Sequence, residues 1–283
     1  MNSSALPALS PSHPFLPNNF VQPEIAPDSS KQRPCNKLIL KTCWAENLDE
    51  VREAQRLRYD VFVNEMGATI PMVIAGHDID IFDNYCEHLL VKNLEEDQIV
   101  GTYRLLTPAQ SKLVGKLYSD NEFDLTRLHH LRPHMVELGR SCVHPDFRTG
   151  SVMLALWGGL VNFMQQNHLE YMVGCASIPM NIQNGSMGPM QAHGTAASIW
   201  QKLRSSQFMA SPELQVTPHL PLPVEQSEYQ PDAEPPALIK GYLRLGAKIL
   251  GAPAWDPEFN TADLPLLMNI SELPYRYRKH FTG

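Results

Sequence analysis

The sequence has little that would support a disulfide framework. Its 283 residues hold five cysteines, at positions 35, 43, 86, 142 and 175. The number is odd and no CxxC pair occurs. That argues against paired bridges and a cysteine-ligated zinc site, and it fits a reducing compartment. No run of about 18 apolar residues exists, so no transmembrane helix is expected, and membrane contact is expected to be peripheral. The beginning of the chain shows no basic segment followed by an apolar run, so no signal peptide is read there. These absences predict a cytoplasmic protein, at most peripheral to the inner membrane. Basic residues are also scarce: 23 Lys and Arg stand against 30 Asp and Glu, a net charge of −7. This balance gives no support to a nucleic-acid partner. No internal repeat is visible.

What is present suits a single large core, since 43% of the residues are apolar. Residues 1–36 are rich in Pro, Ser and Asn and are expected to form a disordered tail. Residues 37–283 are read as one mixed α/β domain. Strands are expected over Leu38–Ala45, His88–Leu94, Ile99–Thr107, Met135–His144, Tyr171–Pro179 and Ala262–Ile270, the second and third as a hairpin. A helix capped by Asn47 or Asp49 is expected to run through Asn64. A second, over Val152–Asn167, is apolar on nearly all sides in its first half and is expected to be buried. A third lies near Thr195–Arg204. Residues 206–237 are Pro-rich and polar and read as a long surface excursion, either functional or disordered.

The segment VELGRSCVHPDFRTG (Val136–Gly150) carries the strongest chemical signal. Pro145 breaks a strand, and PDFRTGS leads into a helix. A helix N-terminus offers unpaired N–H groups and partial positive charge, which suit a pyrophosphate or phosphopantetheine phosphate. Val143, Arg148, Gly150 and Ser151 are therefore the candidate loop for such a phosphate. On pattern alone, a plain strand-to-helix connection competes with this reading.

V-x-P-x-[FY]-R-x-G at such a junction resembles the donor loop of the GNAT superfamily, R/Q-x-x-G-x-G/A. Arg148 matches. Ser151 and Met153 stand where small residues are expected, with Gly150 one place early, a departure that favours a donor held largely by another protein. Arg58-Tyr-Asp-Val-Phe62, Asp80, Asp83, Arg104, Glu137 and Arg140 follow the order seen in acyl-homoserine-lactone synthases. Longer strings resemble the ornithine N-acyltransferases: LRYDVFVNEMGA, VGTYRLL, YSDNEFDL, ELGRSCVHPDFR, GCASIP and GYLRLGAKILGAPAWDPEFNTADL. The resemblance covers about residues 37–283. It implies a GNAT fold, with a central mixed twisted sheet flanked by helices. It also implies transfer of a (3-hydroxy)fatty acyl group from acyl carrier protein to the α-amine of L-ornithine, giving lyso-ornithine lipid. The acyl-phosphopantetheine is then the donor, and no tightly bound cofactor is expected. Homoserine-lactone synthesis, another N-acyl amino acid synthase and a non-catalytic carrier-binding protein stay open as alternatives.

An amine attacking a thioester must first lose its proton, and an α-amino group has an ordinary pKa of about 8. A carboxylate can take that proton directly or through one water. Glu137 is the candidate base, with Arg140 and Arg104 as its catalytic companions. Glu137 and Arg140 are three apart, so a regular strand would place them on opposite faces. Gly139 between them predicts a β-bulge at Leu138–Arg140 that brings both to one face. A Glu–Arg ion pair that only braces the sheet is the competing reading. Asp80 and Asp83 are expected to bind the cationic amino acid. Arg58 and Arg104 either pair with those acids or bind the substrate carboxylate, bracing being favoured for Arg58. Cys142 reads as a small buried hydrophobe rather than a nucleophile. Cys86 and His88 supply too few ligands for zinc, so no metal is expected. Arg127, His129, His130, Arg132 and His134 form a basic patch suited to an acidic carrier protein. The RYRKHF segment (Arg276–Phe281) suits anionic headgroups.

Overall fold

The structure, a computed structural model, describes residues 39–71, 73–180 and 189–282. The expected disordered tail over residues 1–36 lies outside the described residues. Strands run over Leu40–Trp44 (β1), Glu87–Asn93 (β2), Gln98–Leu106 (β3), Phe123–Asp124 (β4), Met135–Val143 (β5), Tyr171–Pro179 (β6), Thr217–Pro218 (β7), Lys248–Ile249 (β8), Ala254–Asp256 (β9) and Thr261–Asn269 (β10). The main helices are Leu48–Tyr59 (α1), Pro108–Val114 (α2), Ser151–Gln166 (α3), Pro189–Leu203 (α4), Ala237–Arg244 (α5) and Tyr275–Thr282 (α6). An eight-stranded sheet runs in the order β1-β2-β3-β5-β6-β10-β8, with β9 paired to β10. The β5–β6 pairing is parallel, and the other pairings are antiparallel.

The six strands expected from hydrophobic alternation are all present, each within about two residues of its expected ends. Asn47 caps α1 by accepting the Glu50 N–H at 3.0 Å. The helix does not stay regular to Asn64. From Asp60 to Glu65 it widens into a π-helical turn, a form associated with functional sites. α2 follows a Thr107–Gln110 capping box and was not expected. α3 departs from the expectation of burial all round. Val152, Leu156, Leu160 and Met164 are buried at four-residue spacing, whereas Leu154 is 39% exposed. Its second apolar face meets a cavity and α6 rather than core.

Residues 206–237 are neither loose nor confined to the surface. β7 pairs with β4, and Met209 and Pro221 bridge to Ile249 and Ala254. Ala210, Val216, Leu222 and Ala233 join the buried clusters. Their apolar burial offsets the ordering entropy of a segment whose composition suggested a free loop.

The feature that positions the site is a short ladder. β5 and β6 pair only through Met135↔Tyr171, Val136↔Met172 and Glu137↔Val173. Beyond these the strands diverge. Gly174 sits at the fork, where a Cβ would lie 2.5 Å from the Leu138 carbonyl oxygen. Gly174→Ala is expected to force that backbone apart and cost about 1–3 kcal/mol. Gly139→Ala, with open space around its Cβ, is expected to cost about 0.5 kcal/mol or less. Denaturant unfolding of the two variants checks the difference.

Candidate active site

The fork between β5 and β6 opens into a cavity of about 650 Å³. Arg104 from β3, Glu137 and Arg140 from β5, Phe62 from the π-turn, Tyr118, and Asp256 and Asp263 from the β9–β10 hairpin all line it. The three residues expected to be catalytic therefore share one wall.

The predicted bulge is there, shifted by one residue. Arg104 pairs with Gly139 and Thr102 with Cys142, so Tyr103 faces both Arg140 and Ser141. It is Arg140, not Gly139, that takes the left-handed backbone, with φ of 51°. A bulky residue there is strained. Its guanidinium is held firmly, 4.8 Å from the Tyr118 ring centroid and 4.5 Å from that of Phe259. Nε lies 3.2 Å from Asp78, and Nη2 3.3 Å from Asp80.

Glu137 and Arg140 share the cavity but do not form the bracing ion pair. Glu137 Oε2 accepts the Tyr118 N–H at 2.6 Å, and Oε1 accepts the Ser119 N–H at 2.7 Å and the Ser119 hydroxyl at 2.6 Å. Burial raises its pKa, against the pull of those donors and of Arg104. A carboxylate has about four acceptor positions, so one remains for a substrate proton.

Arg58, Asp80 and Asp83 lie behind this wall and do not line the cavity. Arg58, with no exposed surface, donates to both Asp83 oxygens at 2.9 Å and to Asp78 Oδ2 at 2.8 Å. Arg104 reaches Asp80 at 2.6 Å and Asp83 at 3.2 Å. Three arginines thus neutralise three aspartates. Asp80 and Asp83, expected to bind the amino acid, are thus paired with arginine here. Asp80 also caps Ile81–Asn84 by accepting from Phe82 and Asp83 N–H. Arg58 has the bracing role favoured for it. Asp78 was missed, although the acid-apolar alternation of DIDIFD includes it.

The donor loop is divided. Val143, Arg148 and Gly150 line the cavity, but Ser151 does not. Arg148 pairs with Glu65 at the surface through two bonds of 2.6 and 2.7 Å, and its Nε donates to the Val143 carbonyl. No side chain caps α3, whose N-cap is Gly150 at φ of 92°, so its first N–H groups remain available to an anion. Tyr103 and Tyr242, also missed, join hydroxyls at 2.6 Å on the cavity wall.

Cys142 is a buried member of the cluster with Ala54, Leu57 and Leu90. Burial pushes its thiol and that of Cys86 up to about 12, so neither is a thiolate at neutral pH. In the basic patch, Arg127 donates to the Pro212 carbonyl and Arg132 pairs with Asp120, while His129 and His130 are exposed. Among the described residues no helix is long and apolar enough to cross a membrane.

Burial pushes the Asp83 carboxyl up, but the charge and hydrogen bonds of Arg58, with Arg104 behind them, hold it well below the usual carboxylate range. Its folded pKa is thus depressed below an unfolded value of about 3.9. The stability it contributes is present above that value and lost as pH falls below it. Asp83→Asn is expected to strand Arg58 and cost about 3–5 kcal/mol. It is also expected to flatten the acid limb of the stability–pH curve, as measured by urea unfolding between pH 3 and pH 7.

A profile of the acetyltransferase (GNAT) domain matches residues 57–158. The L-ornithine N(alpha)-acyltransferase of Agrobacterium fabrum is 36% identical, over 96% of this chain and 95% of that protein. The enzyme of the same name from Rhodobacter capsulatus is 32% identical, over 84% of this chain and 93% of that protein. Among solved structures, an AHL synthase aligns with a TM-score of 0.48 at 15% identity, over 82% of this chain and 90% of that one. The forked mixed sheet is the GNAT fold, the protein is an acyltransferase, and the chain belongs to the L-ornithine N(alpha)-acyltransferase family.

Proposed function

We propose that this protein transfers a fatty acyl group from acyl carrier protein to the α-amine of L-ornithine, giving lyso-ornithine lipid, the first step of ornithine lipid synthesis. The observation that carries the reading is the forked cavity, which brings a buried carboxylate, Glu137, and the uncapped N-terminus of α3 to one space. Its volume and its apolar wall of Leu138, Met153, Leu154 and Trp157 suit a long acyl chain better than an acetyl group.

In this reading Glu137 accepts a proton from the acceptor ammonium, and the freed amine attacks the thioester carbonyl. The new N–C bond forms as the C–S bond breaks; of the two protons the nitrogen gives up, one passes to the leaving thiolate and the other leaves through Glu137 to solvent. The N–H groups of β5 beyond Glu137, which have no β6 partner, suit the oxyanion. Arg140 and Arg104 hold the wall in place, Arg104 lending positive charge near Glu137. Val143, Arg148, Gly150 and the turn at Ser151 receive the phosphopantetheine arm, with Arg148 released from Glu65. A donor delivered by a carrier protein needs few contacts of its own, which suits the altered loop. His129 and His130 offer an exposed basic surface for an acidic carrier. Arg276 and Lys279 on α6, both exposed, suit peripheral contact with an anionic inner-membrane surface from the cytoplasm.

Purified protein given long-chain acyl-carrier thioester and a panel of amino acids is expected to yield N-acyl-ornithine by mass spectrometry. No product from any basic amino acid overturns the reading. Glu137→Gln is expected to lower kcat/KM about 10²–10⁴-fold. In the wild type, kcat/KM should rise with pH as Glu137 and the acceptor amine give up protons, and the variant should lose the Glu137 limb of that profile.

A further inference from the structure

The site holds a second group of acids, and it differs from the first in having no counter-charge. Oxygens of Glu122, Asp256 and Asp263 all lie within 4.8 Å of one another. Among the described residues, no Lys, Arg or His forms an ion pair with any of the three, while Asp78, Asp80 and Asp83 are saturated by arginine. Asp256 and Asp263 line the cavity beside Ser177 and Thr261. Asp263 accepts the Thr261 hydroxyl at 2.8 Å, and Asp256 accepts the N–H groups of Glu258 and Phe259. Glu122 does not line the cavity itself; its oxygens are sealed from solvent, and its carboxyl meets the Cys175 thiol and Asp263. Without a counter-ion, a buried group of acids holds its charge only by sharing a proton or a cation.

The acidic group also lies close to the base. The Ser119 hydroxyl donates to Glu137 at 2.6 Å and lies 3.5 Å from the Cys175 sulfur, and Cys175 adjoins Glu122. One hydroxyl and one thiol therefore separate the base from the acidic group. Tyr118 and Phe259, also on the cavity wall, offer the stem an apolar surface.

We propose that Glu122, Asp256 and Asp263 seat the side-chain ammonium of the acceptor and thereby select a diamino acid. The inference rests on the ornithine reading above and assigns its specificity. Without a cation, burial and then the neighbouring acids raise the Glu122 and Asp263 pKa values, so Glu122 stays protonated at neutral pH. An arriving ammonium favours ionisation and expels that proton.

The test compares L-ornithine with L-norleucine, which carries a methyl group in place of the δ-ammonium, using acyl-carrier thioester as donor. In Asp263→Asn and Glu122→Gln, the ornithine-to-norleucine ratio of kcat/KM is expected to fall about 10–100-fold from the wild-type value. An unchanged ratio in folded variants overturns the proposal while leaving the ornithine reading intact. A wild type that acylates no basic amino acid overturns both. Calorimetry on the wild type in buffers of different ionisation enthalpy guards against variants that do not fold. Ornithine should release more protons than norleucine on binding at pH 7, and equal release overturns the proposal. Ornithine preference that is lost in EDTA and restored by Ca²⁺ or Mg²⁺ would assign the acids to a metal and also overturn it.

Discussion

The alternating lattice of three arginines and three aspartates fixes the shape of the site. Arg58 comes from α1, Asp78, Asp80 and Asp83 from one connecting segment, Arg104 from β3 and Arg140 from β5. Each ion would be costly to bury alone, and each is acceptable here because its neighbours carry the opposite charge and supply hydrogen bonds. The lattice therefore forms as a unit or not at all. Its formation ties a helix, a loop and two strands to a common point. Arg104 and Arg140 are the members that line the cavity, and the left-handed backbone of Arg140 is tolerable because ion pairs and two aromatic rings hold the side chain in place. The bulge of β5 and the ion lattice are thus one constraint: the backbone distortion aims the guanidinium, and the guanidinium stabilises the distortion.

The same logic separates the two acidic groups of the protein. The first has its counter-ions built in, and its charge is spent on architecture. The second stands where β9 and β10 meet the cavity and lacks an internal cation. A fold that pairs Asp78, Asp80 and Asp83 so completely with arginine leaves Glu122 to the Cys175 thiol and Asp263, and burial and the neighbouring acids raise its pKa. Glu137 lies between these extremes. It is buried and anchored by three donors, and its basicity is set by competition between dehydration, which raises its pKa, and those donors, which lower it.

Much of this was legible in the sequence, and the limits follow from which interactions are local. Strands such as Tyr171–Pro179 are written in short apolar runs and were read to the residue. The sharing of one wall by Glu137, Arg104 and Arg140 followed from motif order, and the bulge from the three-residue spacing around Gly139. Its placement was off by one because a glycine usually takes the positive φ, whereas here tertiary ion pairs impose it on Arg140. The pairing of the acids was hidden from the sequence for a similar reason. Asp80 and Asp83 look like ligands until the three arginines that claim them are brought in from 20 or more residues away. Glu122, Asp256 and Asp263 carry no shared pattern, since chain segments more than 100 residues apart supply them.

The Pro-rich stretch over residues 206–237 gains a physical rationale from that separation. It pairs β7 with Asp124 and Phe123, and the His219 N–H donates to the Glu122 carbonyl. It also bridges Pro221 to Ala254, at the start of β9, and packs Val216 against Gly251, where a Cβ would lie 2.4 Å from the Val216 carbonyl oxygen. One segment thus grips both the turn that carries Glu122 and the hairpin that carries Asp256 and Asp263. Mutually repelling carboxylates drive their own supports apart, so bringing three together requires attachment that does not depend on the acids themselves. Backbone hydrogen bonds and buried Ala210, Val216 and Leu222 provide it. Proline suits such a strap, because it lowers the entropy lost when an irregular segment is held in one path.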